Sequence, residues 1–334
     1  MLRVPLLILG LDYIEDEGDV QMNEIGSMRT ALLGVVKRII SSPELVTGIL
    51  IVLLFTIVAA AAPVIAPPEG EDPYVLPKNG WDNVPKPPSP EHPLGTMPDQ
   101  YDMFYGLVWG TRVAFRVGVV ITLGRALIGI LVGVISGYYG GRLDALMMRV
   151  TDAFLSFPTV AAVLVMLSIS VDYWQLRLGE GDRAIILALI LFGWMQYARL
   201  VRGNVLVERA KEYVKAAVSI GAGDERIIFR HILPNATRGL FVLFASDVGA
   251  MVVTVTALTF IGLSGFEPTA DWGAILKSSR DWIVGAPTEA FKYWYTYLLP
   301  SATIVLFSIG WSLIGDGLRE SFDPRRRGFR EPQR

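Results

Sequence analysis

Residues 45–66 have the sequence LVTGILIVLLFTIVAAAAPVIA, which is 22 residues without one charged side chain. A second run at 117–139, VGVVITLGRALIGILVGVISGYY, has 23 residues and a single charge, Arg125. A stretch of about 20 apolar residues is enough for a helix to cross the hydrocarbon core of a bilayer. Isolated strands cannot satisfy their backbone hydrogen bonds in lipid. Each run therefore predicts a transmembrane helix.

Four further apolar runs follow along the chain. They are Ala153–Val171 with 19 residues, Ala184–Ala198 with 15, Gly239–Phe266 with one charge at Asp247, and Tyr293–Gly315 with 23. The shortest run is flanked by Arg183 and Arg199, whose apolar stems can reach the membrane surface and so lengthen the span. The sequence thus predicts an all-α polytopic membrane protein with six transmembrane helices.

The composition of the whole chain agrees with this class and excludes several others. Of the 334 residues 52% are hydrophobic and 19% are charged, with a mean hydropathy of +0.45 and a net charge of −2. The long unbroken runs exclude a soluble enzyme, a disordered chain and a transmembrane β-barrel, whose strands alternate apolar and polar residues. The absence of Cys excludes disulfides, Cys-ligated zinc and thiol catalysis. His92 and His231 are too far apart in sequence to suggest a His-rich metal site, and the near-neutral charge argues against nucleic-acid binding.

Lysine and arginine are distributed unevenly between the runs. With the N-terminus inside, 20 of the 30 fall in inner segments and nine in outer segments, while Arg125 lies in the bilayer. Because cytoplasmic segments carry the excess of Lys and Arg, this predicts a plasma-membrane protein with both termini in the cytoplasm. The chain then divides into a cytoplasmic N-terminal segment at 1–44, the first transmembrane helix at 45–66, an extracellular proline-rich loop at 67–102, a core at 103–320 with the other five transmembrane helices and a cytoplasmic loop at 203–234, and a basic cytoplasmic tail at 321–334.

The cytoplasmic loop contains the most informative local pattern. Residues 208–220 predict a helix, Gly221 and Gly223 break it, and Asp224 is a good N-cap for a second helix at 225–232 that ends before Pro234. We call residues 208–234 the knob. Each of its two helices has an apolar side, so the pattern leaves two hypotheses open. The knob either lies on lipid headgroups or docks onto a partner protein.

Several stretches of this chain resemble a known family of membrane proteins. Residues 213–217 (YVKAA), Gly221 and Leu233-Pro234 are similar to the EAA motif of the membrane subunits of type I ABC importers. Further pieces resemble the C-type permease of the dipeptide and oligopeptide importers: 92–96 (HPLGT), 137–141 (GYYGG), 197–202 (YARLVR), 227–235 (IIFRHILPN) and 315–319 (GDGLR). The resemblance covers roughly residues 30 to 325.

This resemblance implies a MetI-like permease fold and a defined set of partners. These are a sister permease, two ATP-binding subunits, an extracellular solute-binding protein and the lipid bilayer. ATP and Mg²⁺ would sit on the ATP-binding subunits, and this chain would bind no cofactor. It has no Gly-x-x-x-x-Gly-Lys-Ser/Thr loop to hold phosphates, so it is predicted not to be an enzyme and to have no catalytic residues.

The resemblance also implies that the knob couples the permease to an ATP-binding subunit. The residues carried over are Glu212, Tyr213, Lys215, Ala216, Ala217, Gly221, Asp224, His231, Leu233 and Pro234. Two positions depart from the motif: this chain has Lys215 in place of the motif's Glu, and His231 in place of the motif's Ile. Lys215 reverses the charge, and Glu212, one turn earlier, is an alternative source of a carboxylate. For His231 a helix-end contact is favoured over a proton relay.

Three residues within the spans are candidates for the translocation pathway, namely Arg125, Asp247 and Pro158. A charge at this depth is costly, so Arg125 either pairs inside the helix bundle, lines the pathway or extends toward the membrane surface. Asp247 is the natural partner, although the two positions differ in predicted depth by several ångströms, which disfavours direct pairing. Pro158 is expected to kink the third span. Three residues that end the fourth span are predicted to anchor it at headgroups and secondarily to orient the knob: Tyr197, Arg199 and Arg202.

Two other functional classes compete with an importer subunit. A stand-alone secondary transporter or channel would need more intramembrane charges for ion coupling, and it would leave the knob unexplained. A membrane-embedded hydrolase would need paired catalytic groups, and no such motif is found. Within the importer hypothesis, the solute stays open between dipeptides, oligopeptides, oligosaccharides and nickel.

Overall fold

The computed structural model describes residues 42–172, 182–237, 239–263, 269–284 and 291–322. The predicted N-terminal segment up to residue 41 and the tail from residue 323 lie outside the described residues. The elements are α1 (Pro43–Ile65), a short 3-10 turn (Pro98–Gln100), α2 (Met103–Tyr139), α3 (Gly141–Leu155), α4 (Thr159–Asp172), α5 (Asp182–Leu191), α6 (Met195–Arg209), α7 (Glu212–Ser219), α8 (Asp224–Ile227), a π-helical turn (Ile228–Ile232), α9 (Leu233–Ala236), α10 (Leu240–Phe260), α11 (Trp272–Ser278), α12 (Arg280–Val284) and α13 (Trp294–Phe322).

The described helices account for all six predicted spans. Five are long and apolar enough to cross a membrane, namely α1, α2, α5 with α6, α10 and α13, while α4, which α3 meets at 85°, lies in the remaining predicted run at 153–171. Several boundaries differ from the predicted ones. Thus α10 ends at Phe260 rather than at 266, just before Gly262 turns the chain with a φ of +93°, and α13 continues past 315 to Phe322.

The second span is much longer than its apolar run, because α2 begins at Met103 and not at 117. The backbone N–H of Tyr105 donates to the Asp102 carboxylate over 2.7 Å, which caps the helix start. The early turns of α2 contain charged residues, which lower the local hydropathy, so the apolar run does not predict this part of the helix. Arg112, however, donates through Nε to the Ala59 carbonyl of α1 at 2.5 Å and lies 4.9 Å from the ring centre of Trp109.

The third span is broken rather than kinked. Gly140 and Gly141 have φ of +67° and +61°, so the chain turns sharply out of α2 into α3. Residues 156–158 then separate α3 from α4, and the predicted kink at Pro158 is wrong because this residue precedes α4 instead of lying inside a helix. The Pro158 carbonyl accepts the N–H of Ala162 and so starts the first turn of α4.

The fourth span runs well beyond its predicted end, with α6 reaching Arg209. It packs closely along α2 because glycines remove the intervening side chains. A Cβ at Gly133 would lie 2.6 Å from the Ala198 carbonyl oxygen, and one at Gly137 would lie 2.9 Å from the Cβ of Val205. Small residues at such positions let helices in membranes approach closely. The glycines therefore fix α6, and the knob that follows it, against α2.

The 67–102 loop forms a cap with little regular structure, as its prolines suggest. Its described pairings are short bridges such as Lys78 with Tyr101 and Thr96 with Asp102. The indole of Trp109 donates to the Ala66 carbonyl at 2.8 Å, and His92 Nδ1 lies 2.8 Å from Asp102 Oδ2. Hydrogen bonds of this kind hold the loop on the ends of α1 and α2.

Candidate functional site

The knob is a helix–turn–helix unit whose first helix is shorter than predicted. Residues 208 and 209 still belong to α6, and α7 starts only at Glu212, because Lys211 adopts an extended conformation with ψ of 146°. Gly221 turns the chain after α7 with φ of +82°, a left-handed conformation that favours glycine. The glycine break predicted at this position is therefore present in the structure.

The second half of the knob differs from prediction at Asp224. Gly223 occupies the N-cap position, and Asp224 is the first residue of α8. The Asp224 carboxylate instead accepts a hydrogen bond from the hydroxyl of Tyr138 at 2.7 Å. The Asp224 side chain thus makes a tertiary contact with Tyr138 instead of capping α8. It joins the second half of the knob to the end of α2.

The knob does not stop at Pro234. A π-helical turn at 228–232 leads into α9, which contains Leu233 and Pro234 and ends at Ala236. Pro234 has no backbone N–H to donate, and it lies in the first turn of α9, directly after the wider π-helical turn. The side chain of Asn235 donates to the His231 carbonyl over 2.7 Å. This bond uses the main-chain carbonyl of His231, so the helix-end role favoured for its side chain stays a prediction.

A buried carboxylate organises the junction between α6 and the knob. Glu208 is only 9% exposed and accepts hydrogen bonds from Lys211 Nζ at 2.6 Å and from the Tyr213 hydroxyl at 2.7 Å. The Tyr213 hydroxyl in turn accepts a bond from Asn235 at 3.3 Å. Tyr213 therefore connects α6, α7 and α9. Glu208 was not singled out from the sequence, where it looks like an ordinary polar residue at the start of a surface helix.

Replacing Tyr213 with Phe is expected to loosen the knob without affecting membrane insertion. The change removes one donor from a buried carboxylate, which costs about 1–3 kcal/mol. Trypsin cleavage after Arg226 should become several-fold faster in membranes that contain the variant. Tyr139→Phe is the matched control, because Tyr139 is 53% exposed. Equal cleavage rates in both variants would contradict the role of Tyr213.

The two faces of the knob have different partners. Val214, Ala217, Ile227 and Ile232 are buried in one cluster with Tyr138, Val201 and Val205 of the spans. The opposite face is open: Ile220 is 86% exposed, Phe229 67% and Val218 56%. Ala216 and Pro234 are also exposed, so the two motif alanines point in different directions. The knob is thus attached to the spans on one side and presents an apolar surface on the other.

The charge reversal at Lys215 is compensated within the same helix. Lys215 Nζ lies 2.8 Å from the Glu212 carboxylate, whose side chain is 89% exposed. The pair places a carboxylate on the outer surface of α7, although one turn earlier than the motif has it. Glu212 is therefore available to a partner as the alternative that the sequence suggested.

A second polar cluster lies within the spans and joins three of them. Arg125 of α2 donates through Nη1 to both carboxylate oxygens of Asp247 in α10, at 3.2 and 3.4 Å, and through Nε to the Leu189 carbonyl at 2.8 Å. Tyr197 of α6 also donates to Asp247, over 3.2 Å. The side chains of Arg125 and Asp247 are 9% and 13% exposed. The expectation that depth would keep them apart is wrong.

The same cluster fills the break in the fourth span. Residues 192–194 interrupt the helix between α5 and α6, which leaves carbonyls near the end of α5 without a helical partner. The Arg125 guanidinium satisfies the carbonyl of Leu189 and lies against Gly193, where any Cβ would collide with it. Arg125 therefore replaces the missing backbone donors as well as neutralising Asp247.

The predicted headgroup anchors have other roles in the structure. Tyr197 is 1% exposed and belongs to the buried cluster. Arg202 forms a two-bond ion pair with Asp144 of α3, at 2.6 Å for each bond. Arg199 contacts Asp152 of the same helix at 2.5 Å. The two arginines thus bind α3 to α6. The sequence alone does not reveal this link, because 58 and 47 residues separate the partners.

Comparison with known proteins identifies the family of the chain. Residues 129–328, more than half of the chain, match the family described as "Binding-protein-dependent transport system inner membrane component". The chain belongs to this family. It is the permease subunit of a binding-protein-dependent ABC importer, a multi-pass membrane protein that serves transport and not enzymatic catalysis.

Curated relatives extend the match over most of the permease. The chain is 32% identical over 299 residues to the glutathione transport system permease protein GsiD of Pectobacterium atrosepticum, covering 90% of this chain and 93% of the relative. It is 34% identical over 282 residues to GsiD of Escherichia coli, covering 84% and 86%. The predicted family, the permease subunits of ABC importers, is thereby confirmed.

A solved structure supports the predicted fold. The permease is similar to a chain in an inward-facing structure of the MetNI methionine ABC transporter, with a TM-score of 0.51 and 20% identity, covering 66% of this chain and 98% of that chain. At this identity the likeness concerns the fold alone. The predicted all-α, MetI-like permease with six spans is confirmed.

Proposed function

We propose that this permease imports short peptides or peptide-like solutes, in a complex with a sister permease and two ATP-binding subunits. The proposed solute class follows from the curated relatives, which are named for glutathione transport. Glutathione is itself a short peptide. Oligosaccharide import by the same type of assembly is the alternative.

The observation that carries the coupling part of this proposal is the two-faced knob. Its inner face is buried against α2 and α6, so a force applied to the knob reaches the spans through packed side chains. Its outer face exposes large apolar residues such as Ile220 and Phe229, which is typical of a surface that a partner covers. We assign that partner as an ATP-binding subunit, with the coupling residues carried over from the motif on or beside this face.

The remaining partners follow from the same assembly. ATP and Mg²⁺ bind to the ATP-binding subunits, and both termini of the permease, like the knob, lie in the cytoplasm. A solute-binding protein delivers its ligand on the other side, where the 67–102 loop caps the bundle. The Arg125–Asp247 pair lies where α2, α6 and α10 meet, and it supports the pathway by holding these helices together.

Reconstituted transport tests this proposal. The permease is purified with its sister subunit and the two ATP-binding subunits, reconstituted in liposomes with ATP inside, and supplied with the solute-binding protein of the system. We expect ATP-dependent uptake of a labelled di- or tripeptide, unaffected by a protonophore. Uptake of a labelled oligosaccharide in its place would favour the alternative solute. Uptake driven by a proton gradient without ATP would refute the importer mechanism for this assembly.

A further inference from the structure

Helix α3 (Gly141–Leu155) has an unusual position between two spans. It follows α2 after one sharp turn and meets α4 at 85°. If α2 and α4 cross the bilayer, a helix nearly perpendicular to α4 lies close to the plane of the membrane. Only Thr151 of its 15 residues is buried by the rest of the chain. Most of the surface of α3 is therefore free to contact something else.

The exposed surface of α3 is amphipathic. Leu143, Leu146 and Val150, at spacings of three and four residues, form one apolar stripe and are 42%, 61% and 44% exposed. Arg142 and Arg149 are seven residues apart and border the same stripe on one side. Both are exposed, and neither forms an ion pair with another residue in the part of the chain that the structure describes.

The acidic residues of α3 are both paired with arginines of α6, Asp144 on the side away from the stripe and Asp152 one turn after Arg149. Asp144 accepts both bonds from Arg202 and a further short one from the hydroxyl of Ser136, and Asp152 pairs with Arg199. Because Arg202 and Arg199 neutralise these carboxylates, Arg142 and Arg149 are the charges of α3 that remain without an ion-pair partner among the described residues. The helix thus has one side bound to the bundle and one side with the composition of a membrane-surface helix.

We propose that α3 lies in the membrane interface and binds anionic phospholipids on the side of the membrane where the knob lies. Arg142 and Arg149 contact the lipid phosphates, while the stripe of Leu143, Leu146 and Val150 sinks to the acyl boundary. Basic side chains beside an anionic surface and an apolar face below them are the two elements of such binding. Through its ion pairs with Arg199 and Arg202, the lipid-bound helix holds α6, and thus the base of the knob, at a fixed height.

A protein partner fits this surface less well. The fully buried centre of a protein interface is poor in unpaired charge, whereas Arg142 and Arg149 flank the apolar stripe directly. The same arrangement places cations at the headgroups when the stripe contacts lipid. Coverage by the sister permease is therefore an outcome that the experiment must be able to detect.

The absence of cysteine from the chain allows a direct test of location. Leu146→Cys and Ala145→Cys, which lies about 100° around the helix on its polar side, are each labelled with a nitroxide in the reconstituted complex. We expect the Leu146→Cys label to be relaxed by oxygen dissolved in lipid and the Ala145→Cys label by a water-soluble nickel chelate. A Leu146→Cys label that is immobilised and reached by neither reagent would mean that a subunit covers the stripe, and the proposal would be wrong. This measurement does not depend on which solute is transported.

The charge requirement is tested in liposomes of phosphatidylcholine with increasing phosphatidylglycerol. ATP-dependent uptake by the unmodified complex is expected to rise with phosphatidylglycerol. In Arg142→Gln/Arg149→Gln the apparent affinity for this lipid should fall roughly 25-fold, because each basic side chain at an anionic surface contributes about a fivefold gain. Lys86→Gln/Arg280→Gln removes two exposed basic side chains outside α3 and outside the spans, and should keep the full response. An equal loss in both double variants, or no response of the unmodified complex, would overturn the proposal.

Discussion

Arg125→Met is expected to abolish accumulation of the folded permease in the membrane. The change leaves Asp247 as an uncompensated charge between α2, α6 and α10, where its side chain is only 13% exposed. Breaking one side of a buried ion pair typically costs about 3–5 kcal/mol. It also leaves the Leu189 carbonyl, 2.8 Å from Arg125 Nε, without its donor at the break in the fourth span. The measurement is the yield of monodisperse protein after detergent extraction, followed by size-exclusion chromatography.

The double variant Arg125→Met/Asp247→Leu separates charge from fold. Replacing both partners of a buried pair with apolar residues of similar volume is often neutral for stability, so most of the yield should return. Arg125→Lys keeps the charge but cannot donate to Asp247 and Leu189 together as the guanidinium fork does, and an intermediate yield is expected. Wild-type yield from Arg125→Met alone would show that Asp247 does not depend on this arginine.

The six spans could be predicted because hydropathy is a property of consecutive residues. The ends of the helices could not be predicted, because a helix can extend beyond an apolar run when its charged side chains form hydrogen bonds or ion pairs within the fold. Arg112 can lie within α2 because its guanidinium has two partners. One is the Ala59 carbonyl, 53 residues away in sequence, and the other is the ring of Trp109, one helical turn away. Pro158 was recognised as an interruption, but whether a proline kinks a helix or ends it depends on the packing of both halves.

The ion pair shows a second limit of sequence analysis. The predicted depths of Arg125 and Asp247 assumed helices parallel to the membrane normal, and counted residues from the ends of apolar runs that proved to be misplaced. In the structure the two side chains meet at 3.2 Å. Tilt and the position of helix ends are set by interhelical packing, such as the close approach of α6 to Gly133 and Gly137, and a single sequence does not contain them.

The knob was predictable to the extent that its pattern is local. Gly221 marks the turn because a left-handed conformation needs glycine, and the motif residues lie on one continuous unit. The role of Asp224 was misjudged because its partner Tyr138 is 86 residues away in sequence. Glu208 was missed because one helix was predicted over 208–220, whereas the extended Lys211 ends α6 and lets Tyr213 donate to this carboxylate. Helix-capping preferences predict that Asp224 caps the second helix, whereas in the structure its carboxylate accepts a hydrogen bond from the Tyr138 hydroxyl.

Gly221→Trp is expected to give a permease that inserts and folds normally but no longer recruits its ATP-binding subunits. A Cβ added at this position would meet no atom within 4 Å in the described part of the permease. The indole therefore extends from open space, and its bulk is expected to collide with a docked partner. Residues at the centre of a docked surface commonly contribute about 2 kcal/mol or more, so recruitment should fall about 30-fold or more. Co-purification of the ATP-binding subunits with a tagged permease, and coupled uptake, are measured together.

Two further variants separate bulk from backbone strain, because the φ of +82° at Gly221 is itself unfavourable for other residues. Asn tolerates the left-handed conformation better than most side chains do, so Gly221→Asn should retain more recruitment than Gly221→Trp. Gly70→Trp adds the same bulk at another open position, in the 67–102 loop, and should recruit normally. If Gly221→Trp bound its ATP-binding subunits and transported at the wild-type rate, the turn of the knob would not be the docking surface. Coupling would then have to reach the spans by another route.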